Sequence, residues 1–242
     1  MRFVDPIKIR DWDRRVSKWP GATIFHTAAW ARLLSETYRY RPLYLVDNRD
    51  GCLSSLLPVM EVRSRLTGAR GVALPFTDFV APLLSEGDDF RAMLEKVLAR
   101  GRKAGWKRLE LRGVPQSLLS APPSQKYLTH DLDLGQVKGA LEAAVNQNTR
   151  RNVRKALREG VTIQRRNDET GVRHFYRLNR LTRKKHGLPP QPSAFFRGLQ
   201  LHFLERGFGD VYLAYLGSRC VAGALFLYFQ DQVLFKYGAS DP

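Results

Sequence analysis

The sequence lacks any segment that would cross a membrane or direct secretion. No run of about 18 apolar residues occurs among its 242 residues, so no helix is expected to span a bilayer. The first residues, MRFVDPIKIRDWD, carry acidic side chains and no apolar stretch, which is not the pattern of a secretory signal. We therefore expect a cytoplasmic protein, and peripheral contact with a membrane surface stays open.

Motifs for metal binding and for nucleophilic catalysis are also absent. Cys52 and Cys220 are the only cysteines, and they lie too far apart in sequence for a metal-ligand spacing. The sequence contains no GxGxxG after a strand, no Walker loop, no GxSxG, no HExxH and no CxxC. We predict a reduced compartment, no metal and no bound cofactor.

Acidic side chains are scarce relative to basic ones. The chain has 40 Lys and Arg against 23 Asp and Glu, a formal net charge of +17. Residues 146–185 alone contain 13 Lys or Arg and three Asp or Glu. Such an excess favours nucleic acid, nucleotide phosphates or an anionic membrane surface. Because the excess is concentrated, it predicts an anion-binding site in this segment.

Helical and strand periodicities alternate along the chain, as they do in α/β and α+β domains. The segment 113–126 is rich in Pro and Ser, and it predicts a boundary between domains 1–125 and 126–242. Predicted helices cover 27–37, 88–103, 136–145, 149–159, 169–185 and 193–206. Predicted strands cover 43–46, 52–62, 70–74, 107–111 and 127–134, followed by a meander at 211–216, 220–229 and 233–237. We expect mixed, largely antiparallel sheets.

The basic helix over 149–159 is the most informative segment. Asn148 or Thr149 can cap its start, and Val153 and Leu157 are spaced to face a core. Gly160 stands where a left-handed residue ends a helix.

Charge along this helix points to an anion. Arg151 and Lys155 are like charges at i, i+4, which costs roughly 0.2–0.5 kcal/mol. Arg150 and Arg151 lie in the first turn, where the helix dipole is already positive. This placement is poor for stability but suits a bound phosphate. The alternative is a solvated basic face whose Arg stems pack on apolar surface.

Three further residues are candidates for chemistry. Lys236 and Tyr237 end a strand just before Gly238, and strand ends often line clefts. Asp78 lies in the loop Pro75-Phe76-Thr77-Asp78-Phe79, where a carboxylate could act on an amine or cap a turn. For each of these residues a purely structural role stays open.

Several segments together resemble the Fem-type transferases of the GNAT acyltransferase superfamily. The similar segments follow the family's order: FHTAAWARLLSETYRYRPLYLV, LPFTDFVAPL, TRRNVRKALREGV, FYRLNRLTRKKHGLP and VLFKYGAS. The resemblance implies tandem GNAT-like domains with a cleft between them. It implies transfer of an acyl or aminoacyl group to a primary amine of a peptidoglycan precursor or polysaccharide-related acceptor.

The resemblance also implies site residues and partners. Arg150 and Asn152 fall on the family's Arg-Asn helix, and Tyr237 falls on its Tyr-Gly strand end. The donor would be aminoacyl-tRNA or an acyl thioester, and the phosphate-bearing acceptor would be nucleotide- or lipid-linked. The predicted catalytic residues are Tyr237, Lys236 and Asp78. The predicted substrate-binding residues are Arg150, Arg151, Asn152 and Lys155.

Two departures from the family's pattern shape the expectations. The sequence stops at Pro242, before the helix and Phe-Lys segment that the resemblance implies, so we expect a C-terminally truncated second domain. The GNAT coenzyme A motif is absent, since the segment Arg65–Arg70 fails at its last position, which favours other donors. The alternatives are a non-enzymatic RNA-binding module and an inactive truncated transferase.

Overall fold

The computed structural model describes residues 1–49, 52–118, 122–135, 139 and 143–241. Within these ranges the chain alternates helices with short strands. The helices are α1 (Trp12–Val16), α2 (Ala28–Tyr38), α3 (Phe90–Lys103), α4 (Gln147–Arg158), α5 (Glu169–Lys185) and α6 (Ser193–His202). The strands are β1 (Arg2–Val4), β2 (Arg41–Pro42), β3 (Tyr44–Arg49), β4 (Cys52–Leu57), β5 (Met60–Ser64), β6 (Gly68–Val72), β7 (Leu83–Leu84), β8 (Trp106–Glu110), β9 (Val161–Arg166), β10 (Gly209–Leu216), β11 (Arg219–Phe229) and β12 (Gln232–Ser240).

The strands form three four-stranded sheets. Two lie in the first half of the chain, residues 1–118, with strand orders β1-β3-β4-β7 and β2-β5-β6-β8. The third lies in the second half, residues 143–241, with the order β12-β11-β10-β9. Every described pairing is antiparallel except that of β6 with β8. The predicted α/β fold with mixed, largely antiparallel sheets is confirmed. The boundary at 125/126 stays a prediction.

The long strand predicted over 52–62 is two strands in different sheets. β4 pairs with β3, whereas β5 pairs with β2 and β6. Pro58 lies between them and has no N–H to continue a ladder, so the chain changes sheet there. Asp50 and Gly51, which join β3 to β4, lie outside the described residues.

The strand predicted over 127–134 is wrong. These residues form no ladder, and Tyr127, Leu128 and Leu132 are all exposed. Alternation alone cannot make a strand when no neighbouring strand supplies hydrogen bonds. The helix predicted over 136–145 lies largely outside the described residues.

The main hydrophobic core joins the two halves through α2 and α6. Trp30 and Leu33 of α2 are fully buried against Phe195 and Leu199 of α6. The helices approach closely because Gly198 has no side chain, and a Cβ there would lie 2.5 Å from Leu33 Cδ1. A second, smaller core lies under α3 in the first half.

Helix α4 differs from the other long helices because none of its residues is buried. Val153 is 54% exposed and Leu157 is 66% exposed, so the prediction that they face a core is wrong. Among the described elements, the helix makes its main contact with the edge strand β9, and nearly all of its side chains are exposed. The cap is Asn146, whose side chain accepts a bond from the Thr149 N–H, and Gly160 has the predicted positive φ of 81°.

Candidate active site between the two halves

An ion pair with a buried lysine connects the two halves of the chain. Lys236 of β12 donates from Nζ to Asp78 Oδ2 at 2.7 Å, across 158 residues of sequence. The Lys236 side chain is 3% exposed, whereas that of Asp78 is 58% exposed. The ammonium is therefore sequestered, while part of the carboxylate remains open to another molecule.

Aromatic rings surround the Lys236 ammonium. Nζ lies 5.1 Å from the ring centre of Phe25, 5.9 Å from that of Trp30 and 5.2 Å from that of Tyr237. Burial lowers the pKa of Lys236, and the Asp78 carboxylate opposes that effect. Rings at these distances attract a cation, so they help Asp78 to stabilise a buried positive charge.

The loop that carries Asp78 has an unusual backbone. Leu74 and Phe76 have φ values of 55° and 61°, a left-handed region that side chains other than glycine rarely adopt. Thr77 Oγ1 donates to the Leu74 carbonyl at 2.7 Å, and Arg112 Nη1 donates to the Thr77 carbonyl at 2.9 Å. Such strain persists only where the surroundings enforce it, and here it fixes the direction of Asp78.

His26 ties the following residues to the start of α2. The Thr23 N–H donates to His26 Nδ1 at 3.0 Å, so Nδ1 is the acceptor and Nε2–H donates to the Ala81 carbonyl, 2.9 Å away. The ring is completely buried, and burial lowers the pKa of His26 to about 4. A neutral His26 therefore anchors the segment that leads away from Asp78.

Tyr237 supplies a neutral hydroxyl beside the ion pair. Burial raises the pKa of Tyr237, so the phenol keeps its proton at neutral pH. Gln191 Nε2 donates to its oxygen at 3.4 Å, a long contact. Two buried atoms nearby, Tyr38 Oη and Gln191 Oε1, have no hydrogen-bond partner among the described residues. These groups are suited to binding a polar ligand.

The structure brings together only part of the predicted site. Asp78, Lys236 and Tyr237, predicted from separate motifs, share one cluster. The predicted substrate-binding residues are Arg150, Arg151, Asn152 and Lys155. All four lie on the exposed helix α4, where the described contacts include a single ion pair, from Lys155 to Glu159 at 3.7 Å. No described contact joins them to Asp78, and the roles of both groups stay predictions.

Sequence reasoning missed several members of the cluster. Gln191 lies in none of the quoted motifs, and Arg112 lies just before the Pro- and Ser-rich segment 113–126. His26, Trp30 and Tyr38 lie in the resembling segment FHTAAWARLLSETYRYRPLYLV, which gave none of them an individual role. For His26, the one signal available in the sequence was its position, as a polar residue, within a segment that resembles the family.

Neither a metal site nor a membrane span is found in the part of the chain that the structure describes. No group of three His, Cys, Asp or Glu side chains there could hold a metal ion. No described helix is long and apolar enough to cross a bilayer. Two open surface clefts lie near the N-terminus, away from Asp78, one lined by Phe3, Arg41 and Arg100 and the other by Trp19 and Cys52.

The second half of the chain matches one family model. Residues 143–242 match the family model described as an acetyltransferase (GNAT) domain. No curated protein matches the sequence at a significant level.

Solved structures resemble the whole chain in fold. The structure of FemX matches with a TM-score of 0.71 and 14% identity, covering 100% of this chain and 81% of FemX. The C-terminal domain of an Agrobacterium fabrum protein assigned as a lysylphosphatidylglycerol synthetase matches with a TM-score of 0.50 and 13% identity, over 94% of this chain and 66% of that one. The L-PGS of Bacillus licheniformis gives a TM-score of 0.50 at 10% identity, over 95% and 67%.

These matches confirm the resemblance predicted from the motifs, at the level of the fold. The identities of 10–14% show a shared fold and not a shared substrate. The chain has the fold of the Fem-type transferases, and its residues 143–242 carry a GNAT-type acyltransferase domain.

Proposed function

We propose that this protein transfers an acyl or aminoacyl group to a primary amine of a cell-envelope acceptor at the Asp78–Lys236–Tyr237 cluster. The observation that carries the proposal is the ion pair between the halves, in which Lys236 is buried and Asp78 stays partly open. The GNAT-type domain and the FemX-like fold support the reaction class. The Fem-type resemblance supports a peptidoglycan precursor or a related envelope molecule as the acceptor.

Asp78 is the group that meets the acceptor in this proposal. Its exposed carboxylate oxygen attracts the substrate ammonium and accepts the proton that the nitrogen loses. Lys236 does not touch the substrate; it is a positioning residue, because its bond at 2.7 Å fixes the carboxylate. Holding the amine in one orientation removes much of the entropic barrier to attack.

Tyr237 acts on the acyl donor. Its protonated hydroxyl donates a hydrogen bond to the carbonyl oxygen as negative charge develops there. The amine nitrogen then bonds to the carbonyl carbon, and the donor's C–O or C–S bond breaks. The substrate ammonium releases one proton to solvent before the attack, and Asp78 passes the second proton of the nitrogen to the leaving oxygen or sulfur, so the phenol and the carboxylate return to their starting states.

Aminoacyl-tRNA is the donor class that we favour over an acyl thioester. The coenzyme A motif is missing from the sequence. One similar fold belongs to a protein assigned as a lysylphosphatidylglycerol synthetase, a name that denotes an aminoacylated lipid. Both the donor and a nucleotide- or lipid-linked acceptor carry phosphate, which suits a chain of net charge +17. A reaction with aminoacyl-tRNA would take place in the cytoplasm.

The test is a transfer assay with the purified chain and two variants. Radiolabelled aminoacyl-tRNA from a total tRNA pool is incubated with a nucleotide-linked muropeptide, and acetyl coenzyme A is tried separately as donor. Asp78→Asn is expected to lower the transfer rate about 100-fold, or roughly 2.7 kcal/mol of barrier. Tyr237→Phe is expected to lower it about 10-fold to 100-fold, because it removes one donor to the oxyanion.

Glu159→Gln is the matched control, since it removes an exposed carboxylate outside the cluster. Its rate should equal that of the unmodified chain. Melting curves confirm that each variant is folded at the assay temperature. Full activity of a folded Asp78→Asn variant would exclude the proposed site, and transfer from acetyl coenzyme A alone would exclude the favoured donor.

A further inference from the structure

Helix α4 carries one apolar side and one basic side, and both face solvent. At 100° per residue, Thr149, Val153, Ala156 and Leu157 fall on one arc. Val153 and Leu157 on this arc are 54% and 66% exposed. Among the described residues, nothing packs on this apolar arc to cover Val153 and Leu157.

The basic side lies directly beside the apolar arc. Arg150 and Arg154 lie next to Leu157 on one side of it around the helix, and Val153 lies on the other side. Among the described residues, the only ion pair of this side is Lys155 with Glu159, at 3.7 Å. The members of the basic side are Arg150, Arg151, Arg154, Lys155 and Arg158. An amphipathic helix with clustered basic residues next to exposed aliphatic ones is suited to lie in a membrane interface.

The sheet edge next to α4 also exposes apolar side chains. Strand β9, which α4 contacts, exposes 62% of Ile163, and β10 exposes 47% of Leu216. Cross-strand pairs place Leu216 opposite Val161 and Ile163 opposite Ala214, so these side chains lie on one face of the sheet. The helix and the strand that it contacts therefore both expose apolar side chains.

We propose that α4 and the adjacent edge of β9 dock on an anionic lipid bilayer. The basic side would meet lipid phosphates, while Val153 and Leu157 would enter the boundary between headgroups and acyl chains. An RNA partner fits less well, because α4 contains no aromatic residue to stack on bases and RNA would leave Leu157 exposed. This inference is independent of the proposed transfer reaction.

The test is vesicle co-flotation of the full chain. Vesicles of phosphatidylcholine are compared with vesicles that contain about 30% phosphatidylglycerol, at low and at physiological salt. The unmodified chain should float with the anionic vesicles and remain unbound with the neutral ones. Binding should weaken with salt but persist in part, since the apolar contacts are not screened.

A matched pair of double variants locates the contact. R154Q/L157Q removes one Arg and one exposed Leu from α4, and R65Q/L66Q removes the same two residue types from an exposed turn, where Leu66 is 94% exposed. The first should lower the vesicle partition coefficient about tenfold or more, and the second should leave it unchanged. Gln preserves helix propensity, and circular dichroism checks the fold.

The single variant Leu157→Gln separates a bilayer from other polyanions. It should lower binding to anionic vesicles several-fold and leave retention on immobilised total RNA unchanged. The proposal is wrong if the chain does not bind anionic vesicles or binds neutral vesicles equally well. It is wrong, too, if R65Q/L66Q and R154Q/L157Q have the same vesicle partition coefficient. It is also wrong if Leu157→Gln has no effect on vesicle binding, which would indicate a purely electrostatic surface.

Discussion

Positive charge is arranged in opposite ways in two regions of the molecule. One region is the ion pair between the two halves, and the other is helix α4. Lys236 is 3% exposed and is held by one carboxylate and three aromatic rings. The five basic residues of α4 are all exposed, and the described contacts pair only Lys155. The first arrangement fixes a single charge within a packed core, whereas the second presents a broad field to solvent.

In our two proposals, this difference separates a site for chemistry from a surface for contact. A buried charge costs free energy and persists where its partners are positioned accurately, which is the property that a reacting centre needs. An exposed cluster on one helix attracts anions over a distance but orients them weakly. The density of charge along the sequence therefore indicated an exposed surface, whereas the better-organised cluster comes from Asp78 and the adjacent pair Lys236 and Tyr237.

The largest effect on stability is expected when the ion pair is broken by replacing Asp78. Asp78→Ala leaves the buried Lys236 without a carboxylate and should lower the free energy of unfolding by about 3 kcal/mol. Lys236→Met should cost much less, because the half-exposed Asp78 is hydrated and Met fills the aliphatic volume. Chemical denaturation of both variants and of D78A/K236M measures the asymmetry.

The double variant should recover most of the stability that Asp78→Ala loses. Glu95→Ala, which breaks the exposed Arg91–Glu95 pair, should change the free energy of unfolding by less than about 0.5 kcal/mol. Equal costs for Asp78→Ala and Lys236→Met would show that the buried ammonium does not depend on its carboxylate.

A second prediction concerns pH and His26, which anchors the Asp78 loop. The folded chain protonates His26 only near pH 4, whereas the unfolded chain does so near 6.5. Between these values the unfolded state binds more protons, so the free energy of unfolding falls as the pH falls, by up to about 3 kcal/mol. Denaturation midpoints from pH 7 to 4 measure the slope.

His26→Gln should flatten that pH dependence, since Gln can accept from Thr23 and donate to Ala81 without titrating in this range. His130→Gln, at an exposed position, is the control and should keep the slope. If the pH dependence persists in His26→Gln, it must come from other titrating groups. The stability of the Asp78 loop would then not depend on the protonation of His26.

The packing of α2 against α6 gives a third, smaller effect. Gly198→Ala places a methyl group 2.5 Å from Leu33 Cδ1 in the core that joins the halves, so it should cost about 1–3 kcal/mol. Gly139→Ala, where a Cβ meets nothing within 4 Å, is the control and should be neutral or slightly stabilising. Thermal unfolding of both variants checks the difference, and equal melting temperatures would show that this contact is loose.

The smallest effect belongs to α4. Leu157→Gln should change the free energy of unfolding by no more than about 0.5 kcal/mol, because the side chain is already 66% exposed. Leu199→Gln, on the buried face of α6, should be severely destabilising by comparison. Chemical denaturation of both checks this, and a large loss in Leu157→Gln would mean that the helix packs against a partner in solution.

Local patterns predicted the elements well where periodicity was long and a partner existed. The helix over 169–185 has the predicted bounds, and the three strands of the predicted meander form as β10, β11 and β12. The pattern over 127–134 predicted a strand, but these residues pair with no other strand. Leu157 has the spacing of a core residue, but its side chain is exposed. Periodicity describes what a segment could bury, and only tertiary contacts decide whether it does.

The candidate site could be predicted only in part, because its geometry is non-local. Asp78 and Lys236 were each recognisable beside a motif, but no sequence rule joins residues that lie 158 positions apart. The strained loop around Phe76 was equally invisible, since its positive φ is imposed by contacts rather than by a glycine. Family motifs supplied the candidates, and the fold supplied the distances.

The most direct test of the account compares two lysines. Lys236→Met removes the buried cation that positions Asp78, and Lys155→Met makes the same change on exposed α4. With both variants confirmed as folded, the account predicts that aminoacyl transfer to a nucleotide-linked amine acceptor falls at least about 100-fold in Lys236→Met and changes by less than about threefold in Lys155→Met. Unimpaired transfer by Lys236→Met, with a large loss in Lys155→Met, would contradict it.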